Sequence, residues 1–419
     1  MTKYIALASI FLTSIVQTVA QGAFKNHVFD PDIKTLQLYP QNTHDYPGLE
    51  PSVINLNSDN LVLEFDDLSG SYRQFHVHIV HCDENWEESS LSDLQFLSNY
   101  NDFIINDYLV AQGTKVKYYH YGFLVPNVTI GGNFILELRD GDVSGPLLAQ
   151  QRFYVVDAGV NIVASARRSS DPVYFRTHQE LSLEINYGNY PLRDPMREFT
   201  VYIRKNYDDN NLKEGLRPMG LNAASRTIQY RFFDNEHMFK AGNEWRIMDI
   251  RSNFNKGRNI EEIEQGFFDE LNLVPQRFRS DMTYLNANDL NGRYFIETLD
   301  GQNAATNADY VTVNYFLKSL EFKPSDKVCI LGLFNNFSCT QANSMLYDYN
   351  LGGYTGSVLL KQGIYDFQFG ISGEDGKVDY SLIEGDFSPA DNTYEVFVYH
   401  KPPTARAAVL VGYRKINSN

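Results

Sequence analysis

The chain has 419 residues, more than one ordinary domain, so about two or three domains are expected. Hydrophobic residues make up 43% and charged residues 21%, a balance that excludes a disordered chain. The net charge of −16, with 36 Lys and Arg against 52 Asp and Glu and no basic stripe, excludes nucleic acid as a partner.

The opening stretch, MTKYIALASIFLTSIVQTVAQ, reads as a signal peptide over 1–20. Lys3 supplies the positive start, Ile5 to Val16 the apolar run, and Thr18 and Ala20 the small residues before cleavage. The run is too short and wrongly flanked for a membrane span, and no cysteine follows to take a lipid. A soluble, exported mature protein is expected.

Beyond it, 28 Tyr and 28 Phe lean towards β structure. LVLEF (61–65) places Leu61, Leu63 and Phe65 on one face. FHVHIVHCDENW (75–86) follows, with Phe75, Val77 and Ile79 entering the core and His76 and His78 on the solvent face. His81, Cys82 and Asp83 fall past the strand's end, in a turn leading to Trp86, a core aromatic. An H-x-H pair is half of a zinc site, and His120 is the best candidate to join it. The ligand spacing does not close, so no metal is expected.

SSLSDLQFLSNY (89–100) reads as a short helix or a loop, with Leu91, Leu94 and Leu97 spaced for one face. ELSLEINY (180–187) and EFTVYIRK (198–205) alternate as strands. IEEIEQGFFDEL (260–271) is again helix or loop. YVTVNYFL (310–317), GSVLLK, IYDFQFGI, YEVFVYH and AAVLVGY complete the set. Many short strands with frequent turns predict an all-β chain of immunoglobulin-like sandwiches. Boundaries near Asp157–Val160 and Ala304–Asn307 give domains 21–158, 159–305 and 306–419.

No G-x-S-x-G elbow, P-loop, G-x-G-x-x-G or H-E-x-x-H occurs. Acidic pairs such as Asp66–Asp67 and Glu261–Glu262 read as solvated faces. No catalytic activity, cofactor or small-molecule substrate is expected. Cys329 and Cys339 are the candidates for one disulfide, which leaves Cys82 over.

The order strand, GLFNNF, strand, GIYDF within 328–376 resembles the early-set immunoglobulin-like domains that include glycogen- and starch-binding modules. There an exposed Trp stacks on sugar rings, and Phe337 takes that place here. The resemblance makes Phe334 and Phe337 sugar-stacking candidates; the other reading packs both against the sandwich.

A wider resemblance runs from about residue 25 to the C-terminus. It is carried by LEFDDL (63–68), HIVHCDENW (78–86), INDYLVAQGTKVKYYHYGFLVPN (105–127), GNFILEL (132–138), WRIMDIR (245–251), NGRYFIE (291–297) and the strands of the last segment. In this order they resemble the plug protein family of the type IX secretion system of Bacteroidetes. The resemblance implies a non-catalytic periplasmic protein at the inner face of the outer membrane. It would bind the very large translocon barrel and close its pore when no cargo is in transit. Exposed loop aromatics suit such docking, with Tyr100, Tyr108 and Tyr121 as candidates. The alternatives are a carbohydrate-binding surface protein and a type IX cargo, the latter suggested by RKI (414–416) near the end.

Overall fold

Alternating apolar residues can bury one face of a strand only if another sheet covers it, and this chain satisfies that condition three times over. A computed structural model describes residues 23–418 apart from 44–45, 231–236, 324 and 375. The expected signal peptide, 1–20, lies outside the described residues. Among the described residues six sheets form, stacked in pairs as three sandwiches.

The first sandwich packs one sheet, with strands His27–Val28, Leu147–Val156, Gly132–Asp140, Phe75–Cys82 and Phe103–Ile105 in that spatial order, on a second. The second runs Ile33–Pro40, Leu61–Asp67, Tyr119–Leu124, Asp107–Val110. Phe65, Phe75, Val77, Ile79, Tyr121 and Leu136 meet in its core, each wholly buried. The second sandwich is built from both ends of what remains. Strand Phe199–Lys205 pairs along its whole length with Thr393–His400, which pairs in turn with Val409–Asn417. Val201, Ile203, Val396 and Val398 then pack on Leu181, Leu183 and Ile185 of the facing sheet. The third sandwich, strands between Arg246 and Asp379, is inserted within the second. The strand pairing therefore does not divide the chain near 304–307, because 393–417 completes the sheet that 199–213 begins.

Neither helix-or-loop stretch is a helix. Within 89–100 only Asp93–Gln95 coils, as one 3-10 turn; Leu97 is buried while Leu94 is 82% exposed, so the leucines share no face. Residues 260–271 form a hairpin, Ile260–Glu264 against Glu270–Leu273. Gly266 breaks the helical path, and its N–H donates to Asp269 across the turn. Ile260, Leu271 and Leu273 point into the third core.

The sandwiches are tied to one another by buried contacts. Between the first and second, Tyr154 stacks on Phe397 at 4.6 Å and meets Trp86 edge-on at 5.1 Å. Arg204 joins Glu395 at 2.7 Å and Tyr154 Oη at 3.2 Å. Asp209 accepts from both Arg152 and Arg204. Between the second and third, the chain crosses through 241–245 and 385–392. There Asn243 donates to the Glu384 carbonyl and Asn392 to that of Ala241. Glu244, which accepts from Tyr284 and from the Asp391 N–H, is pushed up to about 7 by burial.

Between the first and third sandwiches sits a fully buried charge pair. Lys361 Nζ lies 2.7 Å from Asp66, with Tyr310 Oη at 2.6 Å and His120 Nδ1 at 2.7 Å from the same carboxyl group. The Lys361 ammonium also rests 4.2 Å over the Tyr118 ring. Burial pulls the His120 imidazole down, but its bonds to Asp66 and Glu64 more than offset this and hold it at about 9.

The charge pair sets two expectations. Lys361→Met leaves Asp66 buried without its ammonium and should destabilise the protein by about 3–5 kcal/mol, read as a lower calorimetric transition. In the folded state His120 is raised from its ordinary value of 6.5. Its contribution is therefore complete below pH 6.5 and is lost as pH rises through about 9. Across that window the wild-type melting temperature should fall more steeply than that of His120→Gln.

Candidate functional site

The histidine-rich stretch is a core strand in which each histidine Nδ1 has a partner, while the buried Nε2 of His81 has none. Strand Phe75–Cys82 includes His81 and Cys82, which therefore do not lie beyond its end. His76 does not face solvent: residues 101–105 lie alongside and cover it, and its Nδ1 is 2.5 Å from Asp102. His78 Nδ1 bonds the Asn101 carbonyl, and the same Asn101 side chain bridges both backbone groups of Ile79. His81 bonds Ser89 Oγ at 2.8 Å, and burial holds it at about 4, hence neutral. Burial pushes the Cys82 thiol up to about 12, which removes its reactivity. Asp83 fastens the turn to the second sandwich through Lys401 and the Ala408 N–H. Trp86 is buried under Arg152. His120 is engaged by Asp66, on the other sheet from His76 and His78. Among the described residues no group of three His, Cys, Asp or Glu is placed to hold a metal ion.

The sugar-stacking pair is not displayed. Phe337 is 2% exposed, with its ring against Trp245 at 5.8 Å and its carbonyl accepting from Asn210. Phe334 is half-buried between Tyr365 and Tyr294. Cys329 and Cys339 are joined by a disulfide, with Cα atoms 5.6 Å apart, so the loop is drawn onto the sandwich and its aromatics turn inward.

The three docking tyrosines separate. Tyr121 is wholly buried: it stacks on Phe65 at 5.2 Å, meets Phe75 edge-on, and donates its hydroxyl to the Arg73 carbonyl. It cannot be a docking residue, because its place in the Tyr119–Leu124 strand points it into the core. Tyr100 is 80% exposed in an irregular stretch between the bends at 98–99 and 101. Tyr108 is 45% exposed, beside Tyr72 at 5.0 Å.

Tyr108 belongs to strand Asp107–Val110, the last of its sheet, and all four of its residues are exposed. Leu109 and Val110 are exposed as well, as are Leu124 on the neighbouring strand and Ile104 at the end of the facing sheet. Some outer strands carry more charge: Ile260–Glu264 reads IEEIE and Asp208–Lys213 reads DDNNLK, whereas Phe103–Ile105 and Gly220–Asn222 are uncharged. Charges of that kind discourage pairing with another chain, and Asp107–Val110 has a single one, at its start. Sequence reasoning overlooks this edge because a short apolar run looks the same whether it is central or terminal in a sheet.

Residues 33–157 match the family model described as the type 9 secretion system plug protein 1st domain. The matched span begins with strand Ile33–Pro40 and closes just after Leu147–Val156, so it coincides with the first sandwich. The chain is also similar to the crystal structure of a hypothetical protein from Parabacteroides merdae ATCC 43184. The two are 27% identical, with a TM-score of 0.89 over 95% of this chain and 100% of that one. No curated protein matches.

The burial pattern separates the two kinds of tyrosine experimentally. Tyr121→Ala should cost about 3–5 kcal/mol of stability by emptying the core. Tyr100→Ala should change stability by less than about 0.5 kcal/mol. Denaturant titration of the two variants checks both.

Proposed function

We propose that this chain, whose first sandwich carries the type 9 secretion system plug protein 1st domain, acts without catalysis as a stopper for the secretion system's outer-membrane barrel. The family match over the first sandwich is the observation that carries the reading. The plug family is a component of a secretion system and not a known family of enzymes.

The physics of the fold supports the reading. A barrel with many strands encloses a water-filled lumen that leaks unless something fills it. A useful stopper is broad and stiff. Three sandwiches fastened to one another by buried aromatics and ion pairs meet both needs. No helix among the described residues is long and apolar enough to cross a membrane. In this reading the protein sits in the periplasm against the inner face of the outer membrane, and docks through Tyr100 and Tyr108. Opening then follows from differential affinity: the protein binds the cargo-free state of the barrel more tightly than the engaged state.

The test is a native pull-down with the full chain tagged at its C-terminus, from gently solubilised envelopes of the producing organism. Recovery of the outer-membrane barrel is expected, and Tyr100→Ala with Tyr108→Ala should reduce it while both variants stay folded. Absence of any membrane partner, with tagged protein found outside the cell, would overturn the reading in favour of a cargo.

A further inference from the structure

Carboxyl groups crowded together without a cation cannot all be ionised, and a buried oxygen without a donor is costly unless a proton intervenes. Three such groups meet where the chain crosses between the second and third sandwiches. Glu244 lies on the outgoing segment 241–245, Asp289 in the loop before strand Tyr294–Ile296, and Asp366 on strand Gly363–Ser372. Glu244 contacts Asp289, and Asp289 stands beside Asp366. Asp289 accepts from the N–H groups of Trp245 and Asn291, and Asp366 Oδ2 from those of Leu290 and Gly292 at 2.6 and 3.1 Å. Glu244 Oε2 and Asp366 Oδ1 are buried and have no donor, and neither has Asp391 Oδ1 on the returning segment. The cations of this region are engaged elsewhere. Arg279 holds Glu384 and the Glu244 carbonyl, and Arg293 the carbonyls of Leu290 and Leu49. Lys205 bonds the carbonyls of Lys240 and Ala241, while Asp386 takes the Gly242 N–H.

Tyr284 shows where a proton belongs. Its hydroxyl has one hydrogen but lies beside two acceptors, the Glu244 carboxyl group and the Pro389 carbonyl, the latter at 3.1 Å. With Glu244 ionised, the hydroxyl serves one of them and leaves the other. With Glu244 protonated, the bond to Tyr284 reverses, the acid donating, and the hydroxyl serves Pro389. That chain runs from the outgoing segment through Tyr284 to the returning one. We infer that Glu244, Asp289 and Asp366 form a proton-operated latch: protons held among them fasten the two crossing segments, and losing those protons opens the crossing locally. The latch does not depend on the plug reading. The Asp66–Lys361 pair and the Tyr154–Phe397 stack lie elsewhere and keep the sandwiches together. Burial raises all three carboxyl groups, Glu244 to about 7; at Asp366 the Asp289 charge adds to the rise and Arg293 opposes it. Glu244 starts from an ordinary value of 4.5, so its contribution is complete below pH 4.5 and is lost as pH rises through about 7. Among the described residues no group of three His, Cys, Asp or Glu is placed to hold a metal ion, which leaves the proton as the neutralising species.

The test is hydrogen exchange of the full chain at about pH 5.5 and about pH 8.5, corrected for the intrinsic dependence of exchange on pH and read over 241–245 and 385–392. In the wild type, protection of these segments should fall about tenfold or more between the two conditions. Glu244→Gln keeps the shape of the side chain and the acceptor for the Asp391 N–H but cannot ionise, so its protection should not change with pH. Asp289→Asn is the second variant, should Glu244→Gln not fold, and should lessen the fall. Equal protection of the wild type in both conditions would overturn the latch. So would a fall that persists undiminished in every variant that folds. Calcium that restores protection to the wild type at the higher pH would replace the proton with a cation and overturn the inference as well.

Discussion

The arrangement of the molecule depends on a single carboxylate. Asp66 has no exposed surface, and Lys361, Tyr310 and His120 converge on it from two different sandwiches. Removing Asp66 and Lys361 from water is costly, and their attraction does little more than offset that cost. What such a pair provides is position. Any other placement of the third sandwich against the first would leave a charge buried without a partner, which is far worse than an apolar mismatch. The surrounding contacts then follow the same register. The Asp309 carboxylate accepts from the backbone N–H groups of Lys115 and Val116, and Tyr118 donates to the Ala308 carbonyl.

The path of the chain reinforces this. The third sandwich is an insertion in the second, so two segments rather than one connect them, and the returning strands 393–417 also pack against the first sandwich. Ala408 and Leu410 share an apolar cluster with Trp86 and Tyr154. Each sandwich therefore contacts both others. A string of domains on single linkers bends at its joints; here bending at one joint would break contacts at the other two. The proposed role as a stopper calls for that property, which the chain path supplies together with the buried Asp66 pair.

The elements were legible in the sequence wherever one face of a strand is buried. ELSLEINY and YVTVNYFL show it directly, since period two is the signature of that geometry. The nesting was not, because local alternation says nothing about which strand is the partner; Arg204 and Glu395 are 191 positions apart. The histidines misled for a related reason. An imidazole looks like a solvent-facing group until its partner is known, and Asp102, Asn101 and Ser89 come from segments folded over the strand later. Tyr108 and Tyr121 share a face of their sheet, yet one is half-exposed and the other wholly buried. The difference is that no further strand of the sheet lies beyond Asp107–Val110, a fact of sheet order that composition cannot carry. The resemblance carried by the quoted motifs added what periodicity lacked, and the family match over 33–157 falls on the first sandwich.

The central claim is that the protein closes a pore, and ion current through that pore measures it most directly. The purified outer-membrane barrel of the secretion system, held in a planar bilayer, should pass a steady current that collapses when the protein is added to the periplasmic side and returns when it is washed away. An unchanged current at saturating protein, with binding to the barrel confirmed in the same preparation, would contradict the account.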